Sequence, residues 1–200
     1  MNQVVTVVTG RIRREGKRVV EAHSTSTLVL SPEARILVDT SSRENRSKLM
    51  EGLERARISP SEIDVVVLTH LHHDHMGNLD LFPRARKLAR AEERPFEGIE
   101  DTPPIIRVPV TEDMELAPGV SLLHTPGHTL GSMSVVARTD GAVFAIAGDA
   151  MPTRDNHERW LPPGINVDPQ LALSSMERIC RAGDMIVPGH GGPFPSRRGR

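Results

Sequence analysis

One histidine-rich segment constrains what this chain can fold into more than any other feature. Residues 69–78 read Thr-His-Leu-His-His-Asp-His-Met-Gly-Asn, and they follow an apolar run of three valines and a leucine. Imidazole and carboxylate groups suit zinc, iron or manganese. A strand that ends here would present His70 and His72 on one face, and a turn would then present Asp74 and His75. The segment therefore predicts a metal site at a strand end, with room for two ions.

The composition fits one globular domain over residues 1–200. The chain has 38% hydrophobic residues and a net charge of −1, and its length is enough for a two-layer core. No stretch approaches the roughly 18 apolar residues of a membrane span, and the first residues lack the basic start of a secretion signal. Cys180 is the sole cysteine, so we expect no intrachain disulfide and a reducing compartment, the cytoplasm.

Strand and helix patterns follow one another in an order that favours two packed sheets. A helix is predicted over Arg43–Arg57 with Ser42 as its N-cap, and a later helix has Asp168 as its N-cap. Pro83–Pro104 reads as a charged surface segment, and Met151–Val167 reads as a long loop. Strands are predicted at Val4–Val8, Arg18–Ala22, Thr25–Leu30, Arg35–Val38, Asp64–Thr69, Ile105–Val110, Val120–His124, Ser132–Arg138, Ala142–Ala147 and Met185–Val187. We expect an α+β chain with helices outside two face-to-face sheets.

Three further polar residues lie just beyond predicted strands. They are His128, Asp149 and His190, and each is preceded by a glycine that lets the backbone turn tightly. Strand ends that share one rim of a scaffold can position metal ligands rigidly. We therefore expect these three side chains to join the histidine-rich segment.

Taken together, these motifs resemble those of the metallo-β-lactamase superfamily. The pattern His-x-His-x-Asp-His after a strand is followed by Pro-Gly-His-Thr-x-Gly-Ser around His128, Gly-Asp at Asp149 and Gly-His at His190. The resemblance implies a four-layer αββα sandwich with metals at one edge of the two sheets. Within the superfamily, Gly77–Pro83 and Val187–Phe194 resemble the short single-domain group called metallo-β-lactamase domain-containing protein 1.

The resemblance also implies a role for each ligand. The implied ligands are His70, His72 and His128 for a first metal, Asp74, His75 and His190 for a second, and Asp149 as a bridge between them. Asp39 matches an earlier aspartate of the family, and it would brace the metal loop by holding the second nitrogen of an imidazole. Asp74 would also act in catalysis by orienting the nucleophile and assisting proton transfer.

Two divalent metal ions are the expected cofactor, with zinc preferred and iron or manganese as alternatives. A bridging hydroxide would attack an ester, thioester or related acyl bond of a small molecule, because metals lower the pKa of bound water to near 7. Within Met151–Val167, the residues Arg154, Arg159 and Trp160 are the candidate substrate loop. A dimer contact is the other interpretation of that segment.

Other activities of the same fold stay open at this point. Phosphodiester or RNA cleavage is the runner-up, although a near-neutral charge and only 2% aromatic residues do not favour a nucleic-acid partner. An iron-dependent sulfur oxidoreductase would use one iron, and the complete second ligand set argues against it. Lactonases of the superfamily use an active-site tyrosine, and this chain has none. No membrane partner is expected, and exposed sheet edges suggest a homodimer.

Overall fold

A computed structural model describes residues 1–16, 18–93 and 113–196, together with the backbone of a short strand at 106–108. Its strands are β1 (Gln3–Val8), β2 (Arg11–Glu15), β3 (Arg18–His23), β4 (Ser26–Leu30), β5 (Arg35–Val38), β6 (Val65–Val67), β7 (Arg86–Arg90), β8 (Ile106–Val108), β9 (Met114–Ala117), β10 (Val120–His124), β11 (Met133–Arg138), β12 (Val143–Gly148), β13 (Met185–Pro188) and β14 (Phe194–Pro195). Its helices are α1 (Arg46–Arg55), α2 (His73–Met76), α3 (Arg154–Arg159) and α4 (Pro169–Ala182).

These strands form two six-stranded sheets and one separate hairpin. The first sheet has the order β1-β4-β5-β6-β7-β8, antiparallel from β1 to β5 and parallel from β5 to β8. The second sheet has the order β14-β13-β12-β11-β10-β9, and its only parallel pair among the described strands is β12 with β13. Strands β2 and β3 pair with each other outside both sheets.

The space between the two sheets is filled by aliphatic side chains from alternate strand positions. In β6, Val65 and Val67 face the second sheet, whereas Val66 faces the opposite way and packs beneath α1. Side chains alternate along a strand, so a strand covered on both faces needs apolar residues at every position. This explains why β6 reads as an unbroken run of valines.

Helices cover the outer face of each sheet. Leu49 and Leu53 of α1 are fully buried against the first sheet, and Met176 and Ile179 of α4 are fully buried against the second. The side chain of Asp168 accepts hydrogen bonds from two backbone N–H groups in the first turn of α4, which confirms the predicted N-cap. The result is the four-layer αββα sandwich that was predicted.

The start of the first helix differs from the prediction. Residues Arg43–Asn45 form a 3₁₀ turn, and the α-helix covers only Arg46–Arg55. The Ser42 side chain does not cap it, because its Oγ lies 2.5 Å from Nδ1 of His23. The predicted Ser42 cap was therefore wrong, because the Ser42 hydroxyl forms a hydrogen bond with the imidazole of His23 instead.

Two segments predicted to be irregular contain regular structure. The predicted surface segment Pro83–Pro104 includes β7, whose Leu88 and Ala89 are fully buried in the first sheet. Arg90 is also buried and forms an ion pair with Glu92 at 2.6 Å. The charged residues of this segment therefore did not indicate an exposed strand. The predicted loop Met151–Val167 includes α3, so both predictions were wrong there. Residues 94–104 and the ends of the predicted strand at 105–110 lie outside the described residues.

None of the helices within the described ranges is long and apolar enough to cross a membrane.

Candidate metal centre

The histidine-rich segment begins just beyond β6 and is held by buried hydrogen bonds. The strand ends at Val67, earlier than the predicted strand end at Thr69, and the helical turn α2 starts at His73. Asp39 accepts hydrogen bonds from the backbone N–H and the hydroxyl of Thr69, both at 2.8 Å. Thr40 N–H donates to the carbonyl oxygen of His75 at 2.7 Å. The segment is therefore fixed at both ends by the loop that follows β5.

Three histidine nitrogens meet at one side of the site. His128 Nε2 lies 3.3 Å from His70 Nε2 and 3.1 Å from His72 Nδ1. His70 and His72 come from the segment after β6, whereas His128 comes from the loop after β10. The three ligand atoms lie within 4.8 Å of one another. This set is called the first ligand group below.

A second ligand group lies beside the first and consists of Asp74, His75 and His190. His75 Nε2 is 3.8 Å from Asp74 Oδ2, and His190 Nε2 is 3.5 Å from the same oxygen. Asp74 and His75 come from α2, and His190 comes from the loop after β13. Each group therefore contains residues from the edges of both sheets.

Asp149 lies between the two groups at the end of β12. Its Oδ1 is 3.4 Å from His75 Nε2 and 3.3 Å from His190 Nε2, whereas its Oδ2 is 3.7 Å from His128 Nε2. One carboxylate oxygen thus faces the second group, and the other faces the first. This arrangement is the one that a bridging carboxylate requires.

Two glycines make room for the Asp149 carboxylate. Gly148 has φ +51°, and a Cβ there would lie 2.4 Å from Thr69 Oγ1. A Cβ at Gly189 would lie 2.0 Å from Asp149 Oδ1. Any larger residue would displace the metal loop or the carboxylate itself, which explains why glycine precedes both Asp149 and His190.

An oxygen atom holds the second nitrogen of four of the ligand histidines. His75 Nδ1 is 2.7 Å from Asp39 Oδ2, and His70 Nδ1 is 3.1 Å from the Thr69 hydroxyl. The Nδ1 atoms of the other two lie near carbonyl oxygens: His128 is 2.7 Å from that of Ile165, and His190 is 2.9 Å from that of His23. Such contacts fix the ring orientation and leave Nε2 to face the centre. Asp39 therefore lies where a brace for the metal loop was predicted.

Two histidines of the first group, His70 and His72, have lowered pKa values and are neutral at neutral pH. Burial lowers the pKa of His70 well below its usual value, and the nearby imidazoles lower it further. Burial also lowers the pKa of His72 to about 4. A neutral imidazole offers a lone pair, which is the form that a metal ion needs.

The two histidines of the second group have raised pKa values. Burial disfavours charge on His75, but the carboxylates of Asp39, Asp74 and Asp149 outweigh it and raise the pKa of His75 well above its usual value. The pKa of His190 is raised in the same way, since Asp149 outweighs burial. Burial opposes the charge of Asp149, yet the two imidazoles hold its pKa well below the usual value.

These residues fit a pair of divalent cations. His75 Nε2 and Asp149 Oδ1 are buried, and neither makes a hydrogen bond in the part of the chain that the structure describes. The two atoms lie 3.4 Å apart without hydrogen-bond geometry, and a divalent cation beside them would satisfy both. Imidazole and carboxylate donors without a thiolate suit zinc, iron or manganese.

A cavity of about 160 Å³ lies directly over the ligands, and a wider one of about 700 Å³ adjoins it. His72 and Asp74 line both cavities. The β2–β3 hairpin forms one wall of the smaller cavity, and residues 163–165 form another. Substrate can therefore reach the ligands between the hairpin and the segment before α4.

The predicted substrate loop contributes different residues from those expected. Arg154 and Arg159 are turned to solvent and pair along α3 with acidic residues at 2.7 and 3.2 Å. Trp160 packs against the cluster beneath α4. The members of the segment that line the smaller cavity are Pro152, Pro163, Gly164 and Ile165. The sequence offered little sign of this, because none of the four carries a reactive group.

Two bracing residues were missed from the sequence. Glu93 is buried, and it accepts hydrogen bonds from the backbone N–H of Leu71 at 3.2 Å and of Gly131 at 3.0 Å. Thr25 N–H donates to the carbonyl oxygen of Gly189 at 2.7 Å, and its hydroxyl donates to that of Gly191 at 2.8 Å. Neither residue lies near a ligand in the sequence, so no spacing pattern could indicate it.

The αββα sandwich, with histidines and aspartates grouped at the shared edge of its sheets, defines a class of metal-dependent hydrolases. The chain belongs to the metallo-β-lactamase superfamily, whose family model matches residues 20–190. The resemblance seen in the motifs is thereby confirmed.

Comparisons with individual proteins agree with this assignment. A protein of Methanocaldococcus jannaschii described as a "probable metallo-hydrolase" is 35% identical over 158 residues, which cover 78% of this chain and 71% of that protein. Metallo-beta-lactamase domain-containing protein 1 of Xenopus laevis is 29% identical over 196 residues, which cover 96% and 81%. A crystal structure of a quorum-quenching N-acyl homoserine lactone lactonase is similar with a TM-score of 0.71 and 24% identity, over 90% of this chain and 85% of that one. The chain is a metallo-hydrolase of this superfamily.

Proposed function

We propose that this metallo-hydrolase uses a dinuclear zinc centre to cleave an ester, thioester or related acyl bond of a small molecule. The observation that carries the proposal is the position of Asp149, which directs one carboxylate oxygen to each ligand group. A single-metal site would need only one of the two groups. Two neighbouring groups with a carboxylate between them favour a centre of two ions.

When bound, two divalent cations would supply a hydroxide nucleophile at neutral pH and stabilise negative charge on a carbonyl oxygen. Asp74 lines both cavities, and its side chain keeps 20% of its surface exposed. Its carboxylate is therefore placed to orient a nucleophile and to accept a proton during attack.

The cavity walls support a small acyl substrate. Around the ligands lie Ile12, Val19, Ala22, Pro163 and Ile165, all of which are apolar. A volume of about 160 Å³ over the ligands accommodates an acyl group rather than a folded polymer. Phenylalanine, tyrosine and tryptophan side chains, on which nucleic-acid bases could stack, are absent from the described lining of both cavities.

The proposal is tested by metal content and turnover in matched variants. We expect about two zinc ions per chain in the purified protein, and one fewer in His72→Ala. Asp149→Asn loses the negative bridge and should weaken binding of both ions. Both changes should lower ester hydrolysis by at least about 100-fold, because each removes charge stabilisation of the transition state.

His73→Ala is the matched control for metal content, since His73 is exposed and belongs to neither ligand group. It should keep both ions. Elemental analysis counts the metals, and a panel of ester, thioester and phosphodiester substrates measures turnover. One iron per chain, or undiminished ester hydrolysis in both ligand variants, would contradict the proposal. Turnover of phosphodiesters alone would favour the nuclease interpretation.

A further inference from the structure

The β2–β3 hairpin carries an arginine that faces the metal cavity. Ile12, Arg14, Val19 and Ala22 line this cavity together with the ligands. Ile12 pairs with Ala22, and Arg14 pairs with Val19 across the hairpin. The guanidinium of Arg14 also reaches the opposite wall, where its Nη1 lies 3.3 Å from the position that a Cβ on Gly164 would occupy.

Arg14 lies two positions from Ile12 on β2 and so shares its face, and a β-bulge on β3 brings Val19 opposite Arg14. Arg13 lies opposite Glu21, but Arg14 lies opposite Val19, so Val20 is an extra residue on β3. In an unbroken ladder, residues on the same face are separated by an even number of positions. The extra residue lets Val19 share a cavity with Ala22, three positions away. Bulges of this kind re-aim side chains beside active sites.

Arg14 differs from the neighbouring arginines in its surroundings. Arg11 lies 3.9 Å from Glu21, and Arg13 lies 2.7 Å from Glu15 and 3.4 Å from Glu21. Arg14 pairs with no acidic residue in the described part of the chain. A guanidinium is permanently charged and binds a carboxylate or phosphate through two parallel hydrogen bonds. The cavity therefore holds a cationic group that forms no ion pair with an acidic side chain in the described part of the chain.

We infer that Arg14 recognises an oxyanion on the substrate, either a carboxylate or a phosphate. The apolar part of the substrate then lies against Ile12, Val19 and Ile165, the last of which is 56% exposed beside the cavity. The inference rests on the proposed acyl hydrolysis and narrows its substrate to an anionic acyl compound. Arg14 determines specificity, and the metal centre carries out the reaction.

Paired esters test this inference through the ratio of two rates. The p-nitrophenyl half-esters of succinic, glutaric and adipic acid carry a terminal carboxylate, and the butanoate, pentanoate and hexanoate esters carry a methyl group in its place. We expect wild-type protein to prefer at least one anionic ester by kcat/KM. Arg14→Gln should lower that preference by about 10- to 100-fold, the usual effect of losing a charged hydrogen bond. Arg14→Lys should restore part of it.

Arg13→Gln is the matched control, because Arg13 adjoins Arg14 in the chain but pairs with Glu15 and Glu21. It should leave the preference unchanged. The inference is overturned if Arg14→Gln and wild type show the same ratio, or if Arg13→Gln changes the ratio as much.

A binding measurement separates this inference from the proposed function. Calorimetry of zinc-loaded protein compares adipate and 5-phosphonopentanoate with hexanoate, which lacks the second anionic group. Tighter binding of either dianion in wild type, lost in Arg14→Gln, supports the inference even if no ester is hydrolysed, and the tighter of the two identifies the oxyanion. Equal binding of all three by both proteins overturns it even if ester hydrolysis is found.

Discussion

At the scale of single residues, the buried carboxylate of Glu93 links the two segments that supply the first ligand group. It accepts from the backbone N–H of Leu71, which lies between His70 and His72, and from that of Gly131, which follows His128. It also accepts from the hydroxyl of Thr129. Burial raises the pKa of Glu93, and these donors partly oppose that effect. Three donors would lose their acceptor if this side chain were removed.

We therefore predict that Glu93→Ala destabilises the protein and loosens the first ligand group. The free energy of unfolding should fall by about 3 kcal/mol, because buried donors are left without partners. Zinc affinity should fall by about 10- to 100-fold, as is usual when a group that supports metal ligands is lost. Urea unfolding and competition with a chelator measure the two quantities.

Glu93→Gln separates the hydrogen bonds of Glu93 from its bulk, since the amide keeps one acceptor oxygen. Glu93→Gln should lower the free energy of unfolding and the zinc affinity less than Glu93→Ala does. Glu33→Ala removes an exposed glutamate and should change neither quantity. If Glu93→Ala binds zinc as tightly as wild type, the bracing role is wrong.

The candidate metal ligands were easier to predict than the residues that support them. Six of the predicted ligands fall into two groups, with Asp149 between them. They could be predicted because histidine and aspartate at strand ends are residue types that bind metals. Glu93 lies after a strand whose arginines and lysine suggested a surface, and Arg14 lies in a hairpin with many charges. Only the fold brings these two side chains to the site.

At the scale of elements, helix α1 lies on β1 so closely that one helix position has no room for a side chain. A Cβ on Gly52 would lie 2.0 Å from the carbonyl oxygen of Val7 and 2.7 Å from its carbonyl carbon. Neither atom belongs to a flexible side chain, so the helix or the strand would have to move. Gly52 therefore sets the distance between the outer helical layer and the first sheet.

We predict that Gly52→Ala destabilises the protein even though alanine favours helix. Alanine gains about 1 kcal/mol in helix propensity over glycine, but overpacking costs about 1–3 kcal/mol. The net effect should be a lower urea midpoint. Ser47→Ala makes a similar change at an exposed position of α1, and it should leave the midpoint unchanged or slightly higher. A higher midpoint in Gly52→Ala would show that the layers can separate without cost.

Elements with a regular apolar pattern were predicted, whereas elements defined by contacts were not. Strands β4, β5 and β6 and helix α4 have apolar residues at the period of their structure. Strand β2 has the sequence Arg-Ile-Arg-Arg-Glu, with Ile12 as its one apolar residue. It lies over the site outside both sheets, so it has no core to fill and shows no apolar pattern. Helix α3 has six residues and depends on the capping box between Thr153 and Asn156.

At the scale of the whole molecule, the opposite pKa shifts of two histidines in each ligand group predict the order in which metals load. His70 and His72 have lowered pKa values, so the first group accepts an ion at pH 7 without releasing protons from them. His75 and His190 have raised pKa values, so they hold protons that a second ion must displace. Because protons compete with that ion, affinity for the second ion should rise with pH more steeply than affinity for the first.

Calorimetric titration of metal-free protein with zinc in buffers of different ionisation enthalpy measures the protons released at each step. Proton release should accompany the second equivalent and exceed that of the first. The affinity for the second zinc ion should weaken as the pH falls from about 8 to about 6, the range in which histidines usually titrate. Equal proton release for both equivalents would contradict this order of loading.

The two sheets come from successive parts of the chain, and each ligand group draws on both. Strands β1 and β4–β8 lie within residues 3–108, and β9–β14 lie within residues 114–195. His70, His72, Asp74 and His75 therefore leave the ribosome well before His128, Asp149 and His190. Neither ligand group is therefore complete until most of the chain has been synthesised and the sheets have docked. Metal binding would thus be a late step of folding, and a bound ion would connect the earlier part of the chain to the later part.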